Sequence, residues 1–507
     1  MLKAMPTRGR DPEEILRQMA QLKAADADWR KGRVFSLVYH AGEEHERLME
    51  RAHGMFASAN LLNPMAFKSL KQMEAEVVQT AAALMNGPAS AVGAMTSGGT
   101  ESILLSVYTY REHAAKTRRL SGPPEIVAPV TAHPAFDKGC HYFGVKLRKV
   151  DVGSDLRADA RAMERAITKN TVALVASAPQ YPHGLVDPIE EVAEVARRHG
   201  LPLHVDACVG GFVLPWIERL GRAVPAWDFR VPGVTSISAD LHKYGYAAKG
   251  ASVLLWRSMD FMRHQFFVAT DWPGGIYASP SIPGTRPGGP VAAAWAAFQS
   301  LGEEGYLDLT KRALEAADAL RAGIAAIPEL VVVGRSNLTI VCWGARSTPG
   351  FGDAFAMVGT DHLRDVALDV YAVADRMETR GWTIDRQQRP ASVHLTVTAN
   401  HTPTVAPYLD DLRSSVAEVR SNPNLASSGN APMYGMMAKA PLRGFVGQSV
   451  RKVMEAMYAP GAVVPDLKDA SAGGGLVDRL LAKHGGRVNA VLDRIEAARA
   501  AWKRRSR

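Results

Sequence analysis

Cysteine is scarce in this chain. Cys140, Cys208 and Cys342 are its only three in 507 residues, too widely spaced for a disulfide framework or a metal-ligand set. That usage points to a reducing compartment, and a cytoplasmic location is expected. Long apolar runs are also lacking. No stretch reaches the roughly 18 residues that a bilayer span needs, so no transmembrane anchor is expected. The opening Met1-Leu-Lys-Ala-Met-Pro-Thr-Arg-Gly-Arg10 has no apolar signal-peptide core, which fits a soluble, bacterial-type form. There is no internal repeat. The charge surplus is +9, from 60 basic and 51 acidic residues, and part of it sits in the tail Lys503-Arg-Arg-Ser-Arg507. No nucleic-acid-binding motif accompanies it, so nucleic acid is not an expected partner. With 47% hydrophobic and 22% charged residues, the composition is that of an ordinary globular protein.

The patterning is of the α/β kind. Asp11-Pro-Glu-Glu14 predicts an N-cap with Pro at the first helical position. Ile15, Leu16, Met19 and Leu22 then form one apolar face, expected to pack on the body or on a partner subunit. From 61 to 315, short β-like runs alternate with helical patterns: 127–131, 172–176, 203–206, 234–238 and 252–256. Alternation of this kind predicts a parallel sheet with crossover helices. The region 316–465 reads as a smaller α/β domain, with strands at 330–333, 338–342 and 392–397. Residues 1–60 form an N-terminal helical arm. The span 466–507 reads as a Gly-rich linker, Ser471-Ala-Gly-Gly-Gly475, and a basic helix carrying Val488, Leu492 and Ile495.

Four short segments carry the chemistry. Thr96-Ser-Gly-Gly-Thr-Glu101 is a Gly-rich loop running into a helical pattern, with Ile103, Leu104, Val107 and Tyr108 on one face. Free N–H groups at such a helix start bind anions, phosphate included. It is neither a Walker loop nor a G-x-G-x-x-G dinucleotide fingerprint. Asp206 ends the strand-like run 201–206, where ligands gather in α/β sheets; a plain turn-capping role is the alternative. Lys243, in Ser238-Ala-Asp-Leu-His-Lys-Tyr-Gly245, follows another strand-like run. A lysine that bonds a carbonyl must approach neutrality, and burial with a neighbouring cation such as Lys249 would push it there. His133 follows the run 126–130, where its ring could lie flat on a cofactor.

In this order the segments resemble the pyridoxal-phosphate-dependent decarboxylase group of the aspartate-aminotransferase fold. Within that group the resemblance is to the sphingosine-1-phosphate lyases. It is carried by the segments above and by Thr270-Asp-Trp-Pro-Gly-Gly-Ile-Tyr-Ala-Ser-Pro280 and Arg286-Pro-Gly-Gly289, and runs from about Val34 to Tyr458. It implies fold type I: a large domain with a mainly parallel seven-stranded sheet and a smaller C-terminal α/β domain. It implies pyridoxal 5'-phosphate as cofactor, no metal, and a homodimer with shared active sites. Lys243 matches the lysine that bonds the cofactor aldehyde, Asp206 the pyridine partner and His133 the stacking imidazole. Gly98, Gly99 and Thr100 match the phosphate cradle, and His242 a further cofactor contact. Tyr39, Tyr181 and Lys249 match positions near the substrate phosphate or the reacting hydroxyl. Ser279-Pro-Ser-Ile-Pro-Gly-Thr285 is a candidate to reach a neighbour's cofactor phosphate. Arg286 reads either as a carboxylate binder or as a structural loop arginine.

Two positions depart from the family pattern. Asn63 stands where relatives have a histidine, and brings neither charge nor a titratable proton to a substrate phosphate. Leu241 replaces the usual threonine before His242-Lys243. The activity implied is retro-aldol cleavage of a phosphorylated long-chain base to a fatty aldehyde and phosphoethanolamine. The alternatives are an amino-acid decarboxylase or a β-hydroxy amino acid aldolase of the same fold, or a non-enzymatic binding protein. Lys243, Asp206, Tyr181, Lys249 and His133 are the candidate catalytic and cofactor residues. Tyr39, Asn63, Tyr181 and Lys249 are the candidate substrate residues.

Overall fold

The computed structural model describes residues 5–334, 336–348, 368–427, 429, 431, 434 and 443–459. The expected linker and basic helix of 466–507 lie outside the described residues.

Seven strands build the main sheet: β1 (Val92–Thr96), β2 (Glu125–Pro129), β3 (Lys146–Val150), β4 (Thr171–Ser177), β5 (Leu203–Asp206), β6 (Val234–Ala239) and β7 (Ser252–Trp256). Their spatial order is β1-β7-β6-β5-β4-β2-β3. β2 to β6 pair in parallel, while β7 is antiparallel to both its neighbours. The central strands β2, β4 and β5 are buried along their whole length. That is the condition of strands covered on both faces, and it explains why they read as continuous apolar runs. One apolar cluster, including Val127, Leu174, Val205, Ile237 and Val253, fills one side of the sheet. Another, including Ile126, Val175, Leu254 and Trp256, fills the other.

A hairpin, β8 (Phe267–Ala269) and β9 (Tyr277–Ser279), follows. Four more strands, β10 (Leu330–Val332), β11 (Ile340–Ala345), β12 (Asp385–Gln387) and β13 (Ser392–Thr396), make a wholly antiparallel sheet in the order β10-β11-β13-β12. It has its own core of Trp343, Tyr371, Trp382, Leu395 and Tyr408. The long helix Gly288–Ala325, kinked at Gly302, joins the two sheets. Its N-terminal half packs in the main core, and Ala316, Ala317, Leu320 and Ile324 pack in the smaller one. The expected boundary between 315 and 316 therefore falls inside a helix.

For the N-terminal arm, the structure leaves one of the two expected packings open. The helix α1 (Pro12–Lys23) is capped by Asp11 as predicted, but buries no residue. Ile15, Leu16, Met19 and Leu22 are all exposed, so this face packs on none of the described residues. The next helix, α2 (Glu43–Met55), does pack against the body through Met49, and Val34 bridges to Thr383 beside the smaller sheet. Among the described residues no helix is long and apolar enough to cross a membrane.

Candidate active site

The candidate residues follow strands that run in one direction. Gly98 and Gly99 come after β1, His133 after β2, Tyr181 after β4, Asp206 ends β5, and Asp240 to Lys243 come after β6. The carboxyl edge of the sheet is where an open α/β fold places its ligands.

At its centre is an ion pair. Lys243 Nζ lies 2.9 Å from Asp240 Oδ2, with Asp240 buried and the Lys243 side chain 24% exposed. The sequence reading expects Lys243 to be drawn toward neutrality, and here the structure corrects it. Burial does disfavour the ammonium, but the Asp240 carboxylate, aided by Cys208 and Asp206, outweighs it and holds Lys243 above the usual lysine range. Lys249 shows the downward shift instead. Burial, with Lys243 as a second cause, lowers it to about 8, although water at its exposed edge limits the effect. Its Nζ donates to the Leu37 carbonyl at 2.6 Å and sits 5.3 Å from the Tyr39 ring centroid. Tyr39 is edge-on to Tyr244, and burial raises its phenol pKa.

The Gly-rich loop meets this pair. The helix α4 (Gly99–Thr117) starts there, with Gly98 at φ 153°. A Cβ on Gly99 would sit 2.7 Å from Asp240 Oδ1 and from Cys208 Sγ, so only glycine allows the backbone this close. A Cβ on Gly98 would lie 3.4 Å from the His242 ring. His242 Nδ1 accepts from the Ala251 N–H at 3.2 Å, which leaves the ring proton to Nε2, 3.8 Å from Asp240 Oδ2. Asp240 Oδ1 is buried with no hydrogen-bond partner among the described residues.

Two further groups complete the cluster. Asp206 Oδ1 accepts from the Cys208 N–H at 3.1 Å and from the Ser238 hydroxyl at 3.3 Å. Tyr181 stacks on His394 with ring centroids 4.1 Å apart. Its hydroxyl donates to Asp385 Oδ2 at 2.7 Å, and burial followed by that carboxylate raises its pKa.

Other predicted residues make local contacts of their own. His133 is exposed, and its Nδ1 accepts from the Ala135 N–H at 3.1 Å. Asn63 is exposed, and its Oδ1 caps its own turn by accepting from the Met65 and Ala66 N–H groups, both at 3.1 Å. No hydrogen bond or ion pair among the described residues ties either one to Lys243. Thr100 is exposed on the first turn of α4. Leu241 is fully buried in the core. Arg286 is structural: it is buried against Glu74 and donates to the Met95 carbonyl at 3.2 Å. The Ile282 N–H donates to Glu101 at 2.9 Å, so the 279–285 loop is held beside the α4 of its own chain.

Sequence reasoning passed over Asp240 and Asp385. Asp240 lay in plain view, three residues before Lys243. Asp385 carried no signal, because its segment matches no pattern.

Pyridoxal phosphate has an aldehyde, a ring nitrogen and a phosphate. The cluster offers an amine, a carboxylate at a strand end, and a side-chain-free helix start, so the residues fit the group. Comparison with known proteins agrees. Residues 4–346 match the pyridoxal-dependent decarboxylase conserved domain. The sphingosine-1-phosphate lyase of Arabidopsis thaliana is 42% identical over 453 residues, covering 88% of this chain and 79% of that protein. Sphingosine-1-phosphate lyase 1 of Rattus norvegicus is 38% identical over 91% of this chain and 78% of its own length. The solved sphingosine-1-phosphate lyase of Burkholderia pseudomallei superposes with a TM-score of 0.78 at 36% identity, covering 89% of this chain and 97% of that one. On its fold, its cluster of residues and these likenesses, the chain belongs to the pyridoxal-dependent decarboxylase family, within its sphingosine-1-phosphate lyase group.

Proposed function

We propose that the protein cleaves the C2–C3 bond of a phosphorylated long-chain base by retro-aldol chemistry, releasing a fatty aldehyde and phosphoethanolamine. The observation that carries this reading is one cluster holding the amine of Lys243, the carboxylate of Asp206 and the Tyr181–Asp385 pair. Pyridoxal phosphate, when bound, supplies the electron sink for the carbon left by cleavage. Lys243 would hold the cofactor through its aldehyde. Asp206 would pair with the pyridine nitrogen, and His133 would stack on the ring. The N–H groups of Gly98, Gly99 and Thr100, with His242, would hold the cofactor phosphate.

Substrate is handled from the other side. Lys249, as a cation, takes the substrate phosphate, with Tyr39 beside it and Asn63 as a neutral donor. Tyr181 accepts the proton of the reacting hydroxyl at Oη while passing its own to Asp385 Oδ2. The raised pKa of Tyr181 means that free phenolate does not accumulate.

A homodimer with shared sites belongs to the same reading. Phe267, Val268, Trp272 and Ile276 on the β8–β9 hairpin, and the apolar face of α1, are exposed surface that a second copy would cover. Three buried free thiols support a cytoplasmic location. Sedimentation of the purified protein tests the dimer.

Product analysis by mass spectrometry tests the reaction. Cofactor-loaded protein is given phosphorylated and unphosphorylated long-chain bases, with Lys243→Ala as control. Aldehyde and phosphoethanolamine from the phosphorylated base alone, absent in the variant, are expected. Intact bases with a cofactor-bound enzyme would overturn the reading.

A further inference from the structure

Behind Asp206 runs a chain of buried polar side chains that the mechanism above does not use. His204 and Asp206 share one face of β5, two residues apart. Their register partners on β6 are Ser236 and Ser238. His204 is fully buried, with Nδ1 2.7 Å from Ser236 Oγ and Nε2 3.2 Å from Ser238 Oγ. Ser238 Oγ reaches Asp206 Oδ1 at 3.3 Å, and the Tyr110 hydroxyl, from α4, reaches Ser236 Oγ at 2.5 Å. Phe136 closes over the imidazole edge-on, 5.7 Å between centroids. Burial lowers His204 to about 4, so the ring is neutral and carries one proton.

One proton per group leaves one arrangement. An ionised Asp206 only accepts, so Ser238 must spend its hydroxyl proton there. Ser238 then has only lone pairs for His204, and Nε2 must carry the ring proton. Nδ1 is therefore an acceptor, filled by Ser236, while the Tyr110 hydroxyl is shared between Ser236 and Thr235. Ser236, His204 and Ser238 each donate toward Asp206. Oδ1 is occupied by Ser238 and the Cys208 N–H, while Oδ2 has no partner among the described residues.

We infer that His204 is a positioning residue for the cofactor: through Ser238 it directs a hydrogen bond onto Asp206 Oδ1, which orients the carboxylate and leaves Oδ2 for the pyridine nitrogen. This rests on the reading that Asp206 faces that nitrogen. The tautomer of His204 is set by the relay, and a side chain without both a donor and an acceptor at that point interrupts it.

The test uses full-length protein: wild type, His204→Phe, His204→Gln, Ser238→Ala, the His204→Phe/Ser238→Ala double variant, and Asp206→Ala. Cofactor dissociation constants come from tryptophan quenching, and the pH profile of the bound cofactor's visible band is recorded alongside. Histidine 15N spectra of cofactor-free wild type, with His204→Phe for assignment, read the tautomer. His204→Phe and Ser238→Ala should each weaken cofactor binding about tenfold, the scale of one hydrogen bond to a charged group, and both should displace the pH profile. The double variant should be no worse than the worse single, because the links act in series. His204→Gln, with one donor and one acceptor, should recover most of the loss, and the wild-type proton should sit on Nε2. Wild-type affinity and pH profile in both single variants, additive losses in the double, or a proton on Nδ1 would overturn the proposal. Should His204→Phe fail to fold, Ser238→Ala and the glutamine variant decide. Loss of binding in Asp206→Ala alone would leave the reading of Asp206 standing and sink only the relay. Unchanged binding in Asp206→Ala would bring both down.

Discussion

Tyr181 and Asp385 are 204 residues apart and belong to different sheets, yet the phenol of one donates to the carboxylate of the other at 2.7 Å. Tyr181 follows β4 of the main sheet, and Asp385 opens β12 of the smaller one. Docking of the two layers is therefore what assembles the proposed proton path. Asp385→Asn should lower kcat by about 10²-fold, the scale of a positioned acid–base group, and leave the cofactor's visible band intact. Tyr181→Phe should do the same. Their double variant should be no worse than either single, which steady-state kinetics would check. Additive losses would mean that the two do not act as one unit.

Lys249 makes substrate binding depend on pH. Its pKa is lowered to about 8, so the cation proposed to meet the phosphate is present below that pH and lost above it. KM for the phosphorylated base should rise as pH passes from 7 to 9. A substrate phosphate would itself favour the charged lysine and move the midpoint upward. Lys249→Arg should flatten the rise, because a guanidinium stays charged throughout. A KM profile identical in the two proteins would remove Lys249 from the phosphate site.

Asp240 sets the state of the amine. With the carboxylate gone, burial becomes the dominant influence on Lys243 and its pKa falls. The rate at which cofactor-free Asp240→Asn captures pyridoxal phosphate should reach its plateau at least about one pH unit lower than in wild type. Stopped-flow absorbance across pH 6 to 10 reads this directly.

Acid should destabilise the fold through three buried histidines. Burial lowers His183, His204 and His394 to about 4 each. Unfolding lets them take up protons below their ordinary 6.5, so their contribution is present above 6.5 and is lost as pH falls toward 4. The slope is about 1.4 kcal/mol per pH unit for each group. Asp187 opposes them. Burial raises it to about 6, so its contribution is present at low pH and is lost as pH rises through 6. Calorimetry should show Tm falling between pH 6.5 and 4, and falling more steeply in Asp187→Asn.

Much of the candidate site was legible in the sequence. Lys243, Asp206 and the glycines of the loop are chemical types that work only in a particular order along the chain, and that order is visible in the residues. The buried strands were visible too, as apolar runs 127–131, 172–176 and 252–256. The antiparallel course of β7 was not, since an apolar run carries no direction. The face of α1 was recognised as apolar, but its periodicity says nothing of what covers it.

What the sequence determined by itself was the order of the chemical groups: a Gly-rich loop, a carboxylate and an amine in that family's order, on an α/β alternation whose periods encode the layers. The tertiary structure decided which neighbours act on those groups. Lys243 is held charged and Lys249 is the lysine brought toward neutrality, because Coulomb energy and desolvation depend on distance and burial. Asp240 lies 2.9 Å from one lysine, while the other is left with burial and a like charge. The same holds for Asp385 and for the His204 chain. Hydrogen-bond partners from separate strands meet only when sheet register and layer packing bring them within about 3 Å of each other, and no local pattern in the residues encodes that meeting.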